Sequence, residues 1–286
     1  MASAGREAAG DDGELRRLRA GVRDLRARSR VYPLISQARG MLQERYALPY
    51  GDSAFALMQR ASRRFNVKMR DLAGTLVSTP RPDEPDAPWF PRRIRRPEPA
   101  LGFTTAHRTG SGSRGAVLGA VLRRTLTVVG TDMGDVPMAD RAAGGLRGEK
   151  HAGLPADFVG FFAFAGEDGT SCAPAARDVT RVTVPDVETD PVCTEPARRT
   201  VLEAGGAACH SVPLTTAAGV CVGMASAHAG HPPTDLAESR IKALDTMGTE
   251  AGRWLAWYRY TVVADALEHL HALGRAHRGS RIERRR

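Results

Sequence analysis

Along residues 14–32 the apolar positions Leu15, Leu18, Val22 and Leu25 recur at alternating spacings of three and four, and the same register extends to Ser29 and Tyr32. That spacing predicts a coiled-coil helix with a dimerisation seam. Residues 1–13 ahead of it are small and polar and read as a disordered tail. Pro33 ends the pattern, because proline lacks an amide donor and crowds the carbonyl one turn back. Beyond it Leu34, Ile35, Ala38, Met41 and Leu42 share one helical face, leaving Gln37, Arg39 and Glu44 outward. Residues 48–51 make a turn, and Asp52 is a suitable N-cap for a helix running to about Arg64 with Phe55, Met58 and Ala61 inward. After a break at Asn66, the stripe of Met69, Leu72, Ala73, Leu76 and Val77 predicts another helix. Residues 33–78 therefore read as a bundle of three short helices.

The periodicity then stops. Seven prolines between Pro80 and Pro99 exclude both helix and central strand, so residues 79–114 read as a Pro-rich linker. Trp89 and Phe90 are unusual in such a segment and could dock it on a flanking domain. Over residues 115–262 short strands alternate with helices. The run AVLGAVLRRTLTVV predicts an amphipathic helix, VPMAD and the surroundings of Leu146 strands, and PADFVGFFAF a helix burying Phe158, Phe161 and Phe162. Strands follow at 181–184, 208–215 and 219–228, then a long helix from about Thr234. Residues 263–286 continue as a helical extension and end in a basic tail, RGSRIERRR, which reads as a solvated end.

Composition narrows the function. The net charge is +9, with 42% hydrophobic and 26% charged residues, which suits a soluble protein. No apolar run of membrane-spanning length and no secretory leader pattern is present, so a cytoplasmic location without a membrane partner is expected. The charge is asymmetric: residues 1–78 carry 15 Lys and Arg against 8 Asp and Glu, whereas residues 115–262 carry 13 against 17. A basic arm joined to a mildly acidic body suits a nucleic-acid-binding segment attached to a sensor. Cys172, Cys193, Cys209 and Cys221 form no CxxC pair and read as reduced thiols. Cys209 adjoins His210, but neighbouring strand residues face opposite ways, so the pair is not read as nucleophile and base. His228 with His231, and His269 with His271, lack the companions of a metal site. Gly110, Gly112 and Gly115 fit GxGxxG without the preceding strand that a dinucleotide site needs. No catalytic constellation, metal site or cofactor is expected.

The segment SRRFNVKMR sets Arg63, Arg64, Asn66, Lys68 and Arg70 around a helix junction, and Arg39 lies in the QARG block upstream. Guanidinium groups can pair phosphates or stack on unpaired bases, and Asn can read a base edge, though the same residues also suit a solvated helix face. Taken together, RSRVYPLISQARGML, the Asp52–Ala61 helix and NVKMRDLA resemble the ANTAR domain, over roughly residues 27–78. The resemblance implies that Arg39, Arg63, Arg64, Asn66, Lys68 and Arg70 bind RNA hairpins in a dimeric transcription antitermination regulator. The blocks TDMGDVPMAD, HAGLPADFVGFF, GTSCAPA, VTVPDVETDPV and SVPLTTAAGVCVGMASAH resemble a GAF domain, an antiparallel sheet with flanking helices. That implies either sensing of a small ligand or dimer contacts, and only this segment is large enough to enclose a pocket of about 300 Å3. The expected architecture is thus multi-domain: an α coiled coil and three-helix bundle, then an α+β sheet domain. The competing reading is a signalling adaptor that recruits a protein without binding RNA.

Overall fold

The computed structural model describes residues 33–84, 86–104, 113–141, 143–166, 172–231 and 236–283, so the seam residues Leu15, Leu18, Val22 and Leu25 lie outside the described residues. Three helices open the described chain: α1 (33–46), α2 (Gly51–Phe65) and α3 (Met69–Ser78). Ala38, Leu42 and Tyr46 of α1, Ala54, Met58 and Ala61 of α2, and Leu72 and Leu76 of α3 are buried against one another. Met41, expected inward, is exposed, because the buried stripe of α1 runs along the four-residue spacing Ala38–Leu42–Tyr46. Asp52 is also not the N-cap. Extended Tyr50 holds that position, and Asp52 sits in the first turn of α2, where its carboxylate faces the positive end of the helix.

Helix α2 stops at Asn66, which adopts the left-handed conformation (φ 51°, ψ 41°). The Asn66 amide donates to Arg63 O at 3.3 Å and the Val67 amide to Ser62 O at 3.0 Å, which satisfies the last carbonyls of the helix. Asparagine tolerates this region better than most residues, so its identity here has a backbone cause.

Helix α4 (Arg114–Val129) leads into β1 (Met133–Asp140) and β2 (Gly145–Ala152). Next come α5 (Ala156–Phe161), β3 (Phe164–Ala165), α6 (Cys172–Asp178), β4 (Val182–Val184), α7 (Glu195–Glu203), β5 (Ala208–Thr215) and β6 (Cys221–Ala229). The strands form a single antiparallel sheet in the order β3-β2-β1-β6-β5-β4. Helix α8 (Glu238–Tyr258) passes through a wide π turn (Arg259–Val263) into α9 (Ala264–Glu283). Pro137, which has no amide to give the ladder, sits at an irregularity in the β1–β2 register. The PADFVGFFAF block is split: α5 ends at Phe161, which is 44% exposed, and Phe164 and Ala165 pair with Arg147 and Leu146 as an edge strand.

Helices α4 and α8 cover one face of the sheet, and α6 contacts β5 and β6 while α5 packs on α7. Close approach of α8 requires Gly248 and Gly252, where an added Cβ would overlap Pro213 O and the backbone of Thr215. A continuous apolar cluster joins α1–α3, Trp89, α4, the α8-side of the sheet and α9. The helical bundle and the sheet therefore share a core.

The proline-rich segment holds this junction. Trp89 is buried; its backbone amide and that of Phe90 donate to the Glu268 carboxylate of α9, and its indole Nε1 donates to Pro80 O at 3.0 Å. Further along, Trp254 Nε1 donates to Glu98 Oε1 at 2.7 Å and Trp257 Nε1 to Arg96 O at 2.9 Å. Arg93 Nη1 donates to the carbonyls of Tyr260 and Thr261 at 3.3 and 3.2 Å, within the wide turn, where Thr261 O also accepts from the Ala264 amide. No helix among the described residues is long and apolar enough to cross a membrane.

Candidate nucleic-acid interface

The cations expected to form one surface fall into three groups. Arg39, on α1, donates from Nε to Gly51 O at 3.2 Å and stands 3.5 Å from Asp52, so it ties the end of α1 to the start of α2. Arg63 and Arg64 are exposed on the last turn of α2, and Asn66 is exposed at its cap. Lys68 and Arg70, at the start of α3, turn toward the sheet.

What they meet there is Glu149 of β2. Its side chain is 1% exposed, and its two oxygens take ion pairs from Lys68 Nζ and Arg70 Nη2. Arg114 Nη1 lies 3.6 Å from Oε2, and Arg147 Nη2 lies 3.5 Å from Oε1. Outside this ring, Asp71 Oδ2 accepts from Arg114 at 3.0 Å and Asp140 Oδ2 from Arg147 at 2.6 Å. A carboxylate this deeply buried is tolerable only because several cations compensate its lost hydration. The cations are affected in turn. Burial lowers the Lys68 pKa to about 8, with repulsion from Arg70 and Arg114 adding to the shift and Asp71 opposing it. Burial lowers Arg70 to about 10, with Arg147 adding.

The residues not anticipated are Arg60, Arg114, Arg147 and Glu149. Arg60 is exposed on the helical face it shares with Arg63 and Arg64, at spacings of three and four that the sequence carries. Burial lowers the pKa of His269 on α9, with Arg64 and then Arg60 adding, which places the His269 ring in the field of this cluster. Arg114, Arg147 and Glu149 converge only through tertiary packing.

A second site lies on the sheet face opposite α8. A cavity of about 60 Å3 is lined by Leu146, Phe158, Phe162, Val184, Val187 and Val201, and also by Asp135, Cys193, Cys209 and His228. It is much smaller than the pocket of about 300 Å3 expected for a metabolite. Cys209 and His228 are direct cross-strand partners on β5 and β6, so the imidazole beside the Cys209 thiol is His228 and not its chain neighbour His210. His210 faces the other way and meets Thr183 Oγ1 at 2.8 Å through Nδ1. Among the described residues no group of three or more His, Cys, Asp or Glu is arranged to hold a metal ion.

Residues 23–77 match the ANTAR domain family. Among curated proteins, no sequence matches the chain. Among solved structures, the GAF domain/HD domain protein of Geobacter sulfurreducens is 17% identical, covering 50% of this chain and 92% of that one at a TM-score of 0.42. The GAF domain of the Acinetobacter phosphoenolpyruvate-protein phosphotransferase is 14% identical, covering 51% and 84% at 0.42. The second GAF domain of DevS from Mycobacterium smegmatis is 18% identical, covering 51% and 93% at 0.38. The stretch that matches the ANTAR family is thus followed by a six-stranded antiparallel sheet with helices packed on it.

Proposed function

We propose that the protein is an RNA-binding regulator of transcription antitermination, with the ANTAR segment as its RNA-binding part and the GAF-like part as sensor or dimer contact. The observation that carries this reading is the ANTAR match over residues 23–77, whose exposed face presents Arg60, Arg63 and Arg64 together. In this mechanism the protein supplies binding energy and no bond chemistry: it holds an RNA hairpin that excludes a competing terminator. Guanidinium groups on the last turn of α2 would engage phosphates and unpaired loop bases.

The adaptor reading draws on a different observation. Lys68 and Arg70 already have a carboxylate partner within the chain, so part of the expected RNA surface is occupied. Crosslinking the protein to cellular RNA and sequencing the bound fragments separates the two: tandem small hairpins are expected, and no enrichment would favour the adaptor. On a selected hairpin, replacing Arg63 and Arg64 together with Ala should flatten the salt dependence by roughly 0.7 log unit per lost phosphate contact. An unchanged slope would mean that this face is merely solvated.

A further inference from the structure

The cavity on the α5–α7 side of the sheet carries chemistry that RNA binding does not use. We propose that Cys209 and Cys193 form a peroxide-reactive thiol pair, with His228 and Asp135 handling the proton. Cys209 lies inside the cavity at 8% exposure, while Cys193 packs against the same apolar cluster from the half-exposed loop that follows Asp190. His228 is 6% exposed; its Nε2 is 3.1 Å from Asp135 Oδ1, and its buried Nδ1 has no partner of hydrogen-bonding geometry among the described residues. The bond to Asp135 fixes the ring, placing a proton on Nε2 and leaving Nδ1 to exchange one within the cavity. Burial alone would lower the His228 pKa, but the charge that develops on the Cys209 sulfur and the Asp135 carboxylate outweigh it and raise it above the ordinary imidazole value, so the ring keeps the proton it takes from the thiol. Phe158 packs edge-on against the imidazole with ring centroids 5.0 Å apart, which keeps that side of the ring dry.

The size of the cavity selects the reactant. By the same measure one water needs about 10–15 Å3. A space of about 60 Å3 therefore takes a few water-sized groups, enough for hydrogen peroxide but too small for a metabolite. In the first step the Cys209 thiol gives its proton to His228 Nδ1 and its sulfur attacks one peroxide oxygen. The S–O bond forms, the O–O bond breaks, and the leaving oxygen takes the proton back from His228 and departs as water. In the second step the Cys193 sulfur attacks the Cys209 sulfenic acid. The S–S bond forms, the S–O bond breaks, and the hydroxyl leaves as water with the Cys193 proton. Two thiols are thus oxidised by two electrons and one peroxide is reduced to two waters. Cys209 reacts first because it is the cysteine paired across the strands with His228, and burial raises the Cys193 pKa, with Asp190 and Cys209 adding, which keeps Cys193 a thiol in the meantime.

The test uses the reduced full-length protein, titrated with hydrogen peroxide and followed by intact mass and by peptide mapping without reductant. A Cys193–Cys209 disulfide is expected, with Cys221, which donates to Gly223 O in a separate apolar cluster, still reduced. Cys193→Ser should instead accumulate a sulfenic acid at Cys209 that a dimedone probe captures, and His228→Gln should slow capture at least ten-fold. Because a variant can misfold, the parent is also compared with itself in denaturant, where the Cys209 rate should drop at least ten-fold. The proposal is overturned if Cys209 reacts no faster in the folded chain than in the denatured one, or if the disulfide joins other cysteines.

Discussion

The residue contacts at the junction of α1 and α9 fix a protonation state. Neutral His271 donates from Nε2 to Ala87 O at 3.0 Å, so its Nδ1 must accept from the Tyr46 hydroxyl at 2.5 Å. Burial drives the two groups apart, lowering the His271 pKa and pushing the Tyr46 pKa up to about 12, so both stay neutral across the physiological range. Removing the donor with Tyr46→Phe leaves a buried acceptor unpaired and should lower stability by about 1–3 kcal/mol, read from chemical denaturation. The pH sign follows from linkage. A histidine whose folded pKa lies below its unfolded value stabilises the fold above that unfolded value, about 6.5, and loses the contribution as pH falls through its folded pKa. His271→Gln removes that loss while leaving His210, His228 and His269 in place. The difference in melting temperature between parent and this variant should therefore shrink from pH 7 to pH 5. A constant difference would show that His271 is not held neutral.

At the scale of elements, Glu149 of β2 faces the start of α3, and its contacts have an energetic sign. On the proposed function, RNA phosphates and the Glu149 carboxylate would compete for Lys68 and Arg70, and the sheet would oppose that part of RNA binding. Glu149→Gln keeps the shape and removes the competing charge, and should raise hairpin affinity about 5-fold or more in gel-shift titrations, the low end of usual coupling between sites. The same change leaves Arg70 and Arg147 poorly compensated and should lower stability by about 3 kcal/mol. Equal or weaker RNA binding would remove the idea of competition. None of this docking was legible in the sequence, because Glu149 lies on an otherwise polar strand with no periodic signal. The helices α1 to α3 were legible, since their apolar positions keep the 3.6-residue period, as were β5 and β6 with their nearly continuous buried runs. Helix α7 was not, because only Ala197 and Val201 of it are buried. The partnership of Cys209 with His228 was hidden for another reason: it depends on the β5–β6 register and not on chain proximity.

For the whole molecule the remaining question is how many copies act together. The ANTAR match begins at residue 23, within the stretch where Leu15, Leu18, Val22 and Leu25 keep the three–four spacing of a coiled-coil seam. A parallel pair of such helices would hold two RNA-binding faces side by side, so that a second hairpin binds at the raised effective concentration set by the first. Four apolar positions are few for an independent coiled coil, and the shared core of bundle, proline-rich segment and α9 supplies rigidity on which a short seam can act. Replacing Leu18 and Val22 together with Asp places charges on the seam and should shift sedimentation from dimer to monomer. Affinity for a single hairpin should remain, whereas affinity for a tandem pair should drop by about 10²-fold, the lower bound of the usual gain from linked binding. A variant that stays dimeric would assign assembly to the part that carries the sheet, and a monomer that keeps full affinity for the tandem pair would show that each chain binds RNA alone.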